Sequence, residues 1–316
     1  MNYYLGIDLG GTNIKAGVIR GDFTIEAKMS VPTLNRREAS DVVKDMADAG
    51  KTVLRMAGLT EKDVKYVGIG VPSAINHKNS RVVFSANLHW RDFDLVSAFQ
   101  SEWNIPVFLA NDADAAALAE VWAGAARGYD NIVMLTLGTG VGGGLVFNKK
   151  LYTGGDGFGT EPGHMLLIAG GEQCGCGNKG CLEAYASVTA LIRSTIRTMA
   201  DYPDSIMLKM CKNDISRVNG RTAFEAAKQG DAAGKEVVTH YIDYLAQGIA
   251  SLTILLRPQA VILGGGLCNE GPGLFEPLRM AVYPMVFGSD LIGVPQILKA
   301  ELGNDAGMIG AALLGV

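Results

Sequence analysis

Two segments of this chain repeat one short pattern, an apolar β-branched run, a tight glycine turn and a second run. Leu5-Gly-Ile-Asp-Leu-Gly-Gly-Thr12 leads into residues 14–19, and Val133-Met-Leu-Thr-Leu-Gly-Thr-Gly140 leads into residues 144–147. A strand entering a glycine turn is the arrangement by which backbone amides approach a phosphate closely. An approximate repeat over much of the chain predicts two domains of related topology, each opening with a hairpin. Two such hairpins facing one another could grip a polyphosphate from both sides; the plainer alternative is glycine placed for turn geometry alone.

The 316 residues are enough for two domains with buried cores. Helical composition covers 37–57, 113–126, 188–200 and 223–256, and strands are expected at 64–71, 106–109 and 165–168. Asn304-Asp305 reads as the cap of a last small-residue helix over 306–314, expected to pack back on the first domain. Strands alternating with helices give an α/β fold. The net charge of −4 leaves no basic field for nucleic acid or an anionic membrane. The first residues show no leader pattern and no apolar run is long enough to span a bilayer.

Three of the five cysteines, Cys174, Cys176 and Cys181, crowd into eight residues, while Cys211 and Cys268 stand alone. That spacing fits a metal site in a reducing compartment, the cytoplasm by default, better than a disulfide framework. With His164 ahead of them, the three cysteines supply the four donors of a closed, structural zinc site. Glu161 and Glu183 lie at the two ends of this segment, so the metal would turn both carboxylates and His164 toward one space suited to a hydroxyl-rich ligand. Asn111-Asp112 follows a short strand and opens an alanine-rich helix. A carboxylate there serves catalysis or helix capping, and Asp114 competes for the second role. Asp8, beside Gly10, Gly11 and Thr12, is placed to orient Mg²⁺ through water.

These residues resemble the ROK family of bacterial sugar kinases and sugar-responsive repressors, over essentially the whole chain. Asp8-Leu-Gly-Gly-Thr-Asn-Ile-Lys15 resembles its first phosphate motif and Leu135-Thr-Leu-Gly-Thr-Gly-Val-Gly-Gly-Gly144 its second. Glu161-Pro-Gly-His164 with Cys174-Gly-Cys-Gly-Asn-Lys-Gly-Cys-Leu-Glu183 is similar to its sugar and zinc signatures, and Val261-Ile-Leu-Gly-Gly-Gly266 to the segment placed against the adenosine. The resemblance implies two ribonuclease-H-like domains of the actin and hexokinase type with an interdomain cleft. It divides the chain into 1–112 plus 304–316, with the first phosphate hairpin, and 113–303, with the second hairpin and the zinc loop.

It implies roles as well. Asp112 would be the general base, and Asn111, Glu161, His164 and Glu183 would bind sugar hydroxyls, with His164 also on zinc. Asp8, Gly10, Gly11, Thr12, Asn13, Gly138, Thr139, Gly140, Gly264 and Gly265 would bind ATP with Mg²⁺. The expected activity is ATP-dependent phosphorylation of a free hexose, glucose first. Fructose, allose, mannose or an N-acetylhexosamine such as N-acetylmannosamine are the alternatives, and a homodimer is the family expectation. Family repressors carry a DNA-binding extension, whereas here the phosphate motif begins within ten residues of Met1. Two departures bear on the sugar taken: Ser73 stands where glucokinase-like members often have glycine, and Pro162 replaces an aliphatic residue.

Overall fold

The structure is a computed structural model and describes residues 2–316. Its first sheet begins with the hairpin β1 (Tyr3–Leu9) and β2 (Asn13–Arg20), followed by β3 (Ile25–Pro32). Helix α1 (Ala39–Met56) leads to β4 (Val64–Val71), and the short strands β5 (Ala74–Asn76), β6 (Arg81–Ser85) and β7 (Trp90–Phe93) form a separate small sheet. Helix α2 (Leu95–Glu102), β8 (Val107–Asn111) and α3 (Asp112–Trp122) complete this part. The main sheet has the order β3-β2-β1-β4-β8, antiparallel through the first three strands and parallel from β1 to β8.

The two faces of this sheet are built differently. Leu5, Ile7 and Leu9 of β1 point into a core with Val43, Met46 and Val53 of α1 and Phe99 of α2. Between them on the pleat, Gly17, Gly6 and Gly68 line up across β2, β1 and β4. That glycine row is a bed for the C-terminal helix Ala306–Ala312. A Cβ at Gly6 would overlap the Met308 carbonyl oxygen, and one at Gly68 that of Ala311. The expected return of the last helix to the first domain is thus what the structure shows. Asp305 flanks that helix without making a side-chain cap bond.

The second sheet is built from β9 (Ile132–Leu137), β10 (Val141–Phe147), β11 (Lys150–Leu151), β12 (Ala260–Gly264) and β13 (Gln296–Lys299). Its order, β11-β10-β9-β12-β13, repeats that of the first, a hairpin and its third strand on one side and later strands on the other. The helices are α4 (Glu183–Ala186), α5 (Val188–Asp201), α6 (Ile206–Met210), α7 (Thr222–Lys228), α8 (Ala232–Leu256), α9 (Pro272–Val282) and α10 (Ser289–Ile292). Among the described residues no helix is long and apolar enough to cross a membrane.

Two compact units result: one runs up to Ile132 and adds Gly144–Thr160 and Ala300–Val316, the other takes Val133–Gly143 and Glu161–Lys299. They divide the chain differently from a cut after Asp112. Helix α3 packs on the C-terminal helix so closely that a Cβ at Gly310 would overlap the Ala115 carbonyl oxygen, which keeps α3 in the first unit.

Two local expectations are corrected. The helix over 223–256 is two helices, because Gly230 takes a left-handed φ of 89° and Asp231 restarts the chain by accepting the Gly234 amide at 2.8 Å. Residues 165–168 form no strand. The Leu167 and Ile168 amides both donate to the Gly180 carbonyl, so the segment wraps the cysteine loop instead of joining a sheet.

Candidate active site

In the first unit, Leu9 pairs with Ile14 and the chain reverses through Gly10, Gly11 and Thr12, with the Gly10 amide donating to the Asn13 carbonyl at 2.9 Å. Thr33, fully buried, secures the turn: its amide donates to the Thr12 carbonyl at 2.8 Å and its hydroxyl to the Gly10 carbonyl at 2.6 Å. Asp8 accepts from Lys15 Nζ at 3.2 Å. Burial pushes its carboxyl above the usual range, with the Lys15 ammonium opposing that shift.

Strand β8 delivers Asn111 and Asp112 to the start of α3. Asn111 is the N-cap, its Oδ1 accepting the Ala113 amide at 2.8 Å while its Nδ2 donates to the Ser73 carbonyl at 3.0 Å. Asp112 Oδ1 also accepts the Ala113 amide, at 2.9 Å. The two acidic residues of this turn part ways: Asp112 is exposed, whereas Asp114 is buried beneath Gly144 and Gly159. Asn111 and Asp112 share the Ala113 amide, and Asp112 is the exposed carboxylate at the positive end of the helix. Ser73 is buried beside this junction, its hydroxyl 3.5 Å from the Val71 carbonyl.

In the second unit, Glu161 precedes a short 3₁₀ turn, Pro162–His164. Only glycine fits at 163, since a Cβ would overlap the Val141 carbonyl oxygen, and Pro162 packs over Gly143. His164 Nδ1 lies 3.7 Å from Cys174 Sγ, and Cys176 Sγ lies 3.7 Å from Cys181 Sγ. All four donor atoms fall within 4.8 Å of one another. Tetrahedral zinc with ordinary bond lengths places its sulfur ligands roughly 3.8 Å apart, whereas a disulfide would bring two of them to about 2.05 Å. One nitrogen and three sulfurs at this spacing fit a closed zinc site. Nδ1 of His164 faces the sulfurs and leaves Nε2 for another partner.

The loop closes because Gly177 and Gly180 take left-handed φ values of 95° and 85° and the Cys174 amide donates to the Asn178 carbonyl. It then hands Glu183 to α4. Glu183 Oε2 accepts the Val141 amide at 3.0 Å and Oε1 lies 3.4 Å from Cys174 Sγ. Burial raises the Glu161 carboxyl; His164 opposes the rise and Glu183 adds to it, so the two glutamates and the histidine share one electrostatic neighbourhood.

Glu183 also reaches the second glycine turn, where a Cβ at Gly140 would overlap its carboxylate. That turn, Gly138, Thr139 and Gly140, closes with the Gly138 amide donating to the Gly140 carbonyl at 3.0 Å. The Val188 amide donates to the Gly138 carbonyl at 2.8 Å, and the Thr189 hydroxyl to the Thr139 carbonyl at 2.7 Å. Gly264 ends β12, and Gly265 follows with a φ of 97° where a Cβ would overlap the Leu137 carbonyl oxygen. Gly265 thus sits against the strand that feeds the turn. Thr33, Val188 and Thr189 were not singled out from the sequence; the serine N-cap at 187 was the one local signal near the last two.

The profile of the ROK family matches residues 4–315. A glucokinase of Thermotoga maritima is 38% identical over 309 residues, covering 98% of this chain and 95% of that protein. A xylose repressor of Bacillus subtilis is 32% identical, covering 98% of this chain and 75% of the repressor. Among solved structures, a ROK family glucokinase from Streptomyces griseus in complex with glucose and AMPPNP superposes with a TM-score of 0.80 at 34% identity, over 99% of both chains. The ROK hexokinase from Thermus thermophilus gives 0.84 at 34% identity, over 99% of this chain and 97% of that one. The two mixed α/β units have the ribonuclease-H-like, actin-type fold of these structures. The chain therefore belongs to the ROK family.

Proposed function

We propose that this protein is an ATP-dependent kinase of a free hexose, with glucose the preferred substrate. The observation that carries the reading is Asp112, an exposed carboxylate at the positive end of α3 that shares the Ala113 amide with the N-cap Asn111. In the proposed reaction Asp112 takes the proton from the attacking sugar hydroxyl as that oxygen bonds to the γ-phosphorus and the bond to ADP breaks. Asn111, Glu161, His164 and Glu183 bind the remaining hydroxyls, with His164 Nε2 as the available ring atom. The two glycine turns, Gly10, Gly11, Thr12 and Asn13 on one side and Gly138, Thr139 and Gly140 on the other, bind the phosphates, with the Gly10 and Gly138 amides closing the turns, and Gly264 and Gly265 border the adenosine. Positioning and electrostatics carry most of the acceleration in phosphoryl transfer.

Mg²⁺ bound with ATP supplies charge neutralisation on the phosphates, and the partly buried Asp8 is the residue suited to orient it. Zn²⁺ bound by His164, Cys174, Cys176 and Cys181 would hold structure, since four protein donors would leave no open position at which to activate water. Reduced cysteines gathered as ligands support a cytoplasmic setting. The exposed side chains of Leu255, Met280, Phe287 and Leu291 support a homodimer.

The test is coupled ADP release across glucose, mannose, allose, fructose and the 2-acetamido derivatives of glucose and mannose. Glucose should show the highest kcat/KM, since a pocket built to hydrogen-bond one set of hydroxyls leaves polar groups unpaired with another. A ketose or acetamido sugar ahead of glucose would replace the glucokinase reading and keep the hexose-kinase one. The xylose repressor relative motivates a second reading, a sugar-responsive regulator. Sugar binding with no ADP release from any of the six would favour it.

A further inference from the structure

We infer that an open cavity between the start of α1 and the β6–β7 hairpin binds a small phosphate-bearing anion. The cavity, of about 650 Å³, lies within the first unit and is lined by Arg36, Arg37, His89 and Arg91, with Glu38 the one carboxylate on its wall. That volume is in the range of small-ligand sites, roughly 300–1,000 Å³. The assignment stands independently of the kinase reading.

The charges around the cavity are arranged to leave cations facing it. Arg37 is engaged, donating to Asp45 at 2.5 Å and to the Thr33 carbonyl at 3.0 Å. The nearby acids are turned away: Asp92 of β7 and Asp94, the N-cap of α2, both pair with Arg81, at 2.9 and 3.3 Å. Among the described residues neither Arg36 nor Arg91 has a carboxylate within ion-pair distance; the Arg91 guanidinium lies 4.8 Å from the Phe84 ring centre. Arg36, His89 and Arg91 are all exposed. The apolar part of the wall, Trp90 tilted against Phe93 with ring centres 4.7 Å apart, lowers the local dielectric and strengthens attraction for an anion. Guanidinium forks match the oxygens of a phosphate group, and α1 starts at Glu38 without a side-chain cap, so the helix end adds to the same field.

The same wall is tied to the first glycine turn. Asn35 Nδ2 donates to the Asn87 carbonyl at 2.7 Å, and Asn87 abuts Gly11, where a Cβ would lie 3.2 Å from the asparagine's own Cβ. Arg37 holds the carbonyl of Thr33, the residue that fixes Gly10 and Thr12. An anion bound at Arg36 and Arg91 thus sits one residue layer from the turn, placed to stiffen it.

Calorimetric titration of the full chain, presaturated with glucose and AMPPNP to fill the active site, tests this with orthophosphate, glucose 6-phosphate and tripolyphosphate. We expect at least one of the three to bind once per chain, weakening tenfold or more in the Arg36→Ser/Arg91→Ser variant and recovering in part in Arg36→Lys/Arg91→Lys. Orthophosphate matching glucose 6-phosphate would assign the site to the bare anion, and a clear preference for either larger probe to a sugar ester or a phosphate chain. No heat from any probe, or unchanged affinity in the serine pair, overturns the site. Both arginines are exposed, so the variants should fold, and ADP release reports on the kinase reading separately.

Discussion

The two glycine turns carry nearly the same sequence and are supported in different ways. The turn at Gly10–Thr12 is held by Thr33, which follows directly from the third strand of its own sheet. The turn at Gly138–Gly140 is held by groups from the segment after the cysteine loop: Glu183 on the Val141 amide, the Val188 amide on Gly138, the Thr189 hydroxyl on Thr139. A sheet neighbour forms with the sheet. A glutamate at the end of a four-ligand loop is in place only when that loop is closed. One repeated motif has thus become a turn supported from within its own sheet and a turn supported from the segment after the cysteine loop, and if that loop carries the proposed zinc the two should fail under different perturbations.

The largest expected effect separates chemistry from either support. Asp112→Asn keeps an acceptor for the Ala113 amide and the Asn111 cap, so both turns and the fold should persist. Turnover should fall by about two to four powers of ten, the scale of losing a general base. A steady-state assay with intact sugar affinity checks this; turnover within a few-fold of the parent removes Asp112 from the role.

Metal removal attacks one turn only. Elemental analysis should find one Zn²⁺ per chain, and Cys176→Ser or a strong chelator should cost on the order of 4 kcal/mol or more in stability, as losses of structural metal do. Hydrogen exchange should then quicken at residues 138–141 well before residues 10–13. Equal loss at the two turns would break the comparison, and stoichiometric absence of metal from active protein would dissolve its premise. Glu183→Ala takes the same contrast without touching a ligand. Loss of its bond to the Val141 amide and of its proposed sugar contact, about 1–3 kcal/mol for each, should lower kcat/KM by roughly fivefold or more, and exchange raised only at the second turn reads the support separately from sugar binding.

How much of this was legible follows the distance along the chain over which each interaction acts. The hairpins and the gathering of the four candidate metal ligands were readable because their parts are neighbours: His164 and Cys181 are 17 positions apart, and the intervening glycines permit a single curl. The C-terminal helix was expected on the first domain, but not its glycine bed, since Gly6, Gly17 and Gly68 form a row only once β2, β1 and β4 pair. The supports of the turns were not readable at all. Thr33 is 23 positions from Gly10, and Thr189 is 50 from Thr139. Glu120, fully buried, reaches still farther, accepting the amides of Glu301 and Leu302 at 3.0–3.1 Å, 181 and 182 positions away. Expectations failed where a local signal met a tertiary demand: residues 165–168 have strand composition, but the Leu167 and Ile168 amides go to Gly180 of the cysteine loop.

Thr33→Val tests the turn supported from within its own sheet. It is nearly isosteric, keeps the amide bond to Thr12 and removes the hydroxyl bond to the Gly10 carbonyl, for an expected loss of about 1 kcal/mol. Denaturant unfolding should show that loss with zinc content unchanged. A variant that also sheds zinc would show the two supports to be linked.

The smallest expected effect concerns Asp8, beside the same turn. Burial raises its carboxyl above the ordinary value of 3.8, and Lys15 only partly offsets this. The unfolded chain therefore releases the proton at lower pH than the folded one, so between 3.8 and the raised folded value the native state holds more of it. Stability contributed by this group falls as pH climbs through that window, and above it the charged carboxylate is a constant penalty. Asp8→Asn removes the penalty, while Lys15 keeps its bond to the Asn304 carbonyl at 2.9 Å. The variant should melt slightly above the parent at neutral pH, by about 2 °C or less. Its advantage should shrink toward zero as pH falls to the ordinary carboxylate range, where both chains carry a neutral group. Thermal midpoints of the pair compared across pH read this directly, because the other titrating groups cancel in the difference. An advantage that instead grows in acid would mean Asp8 is held ionised by Lys15, with the first turn resting on that ion pair as well as on Thr33.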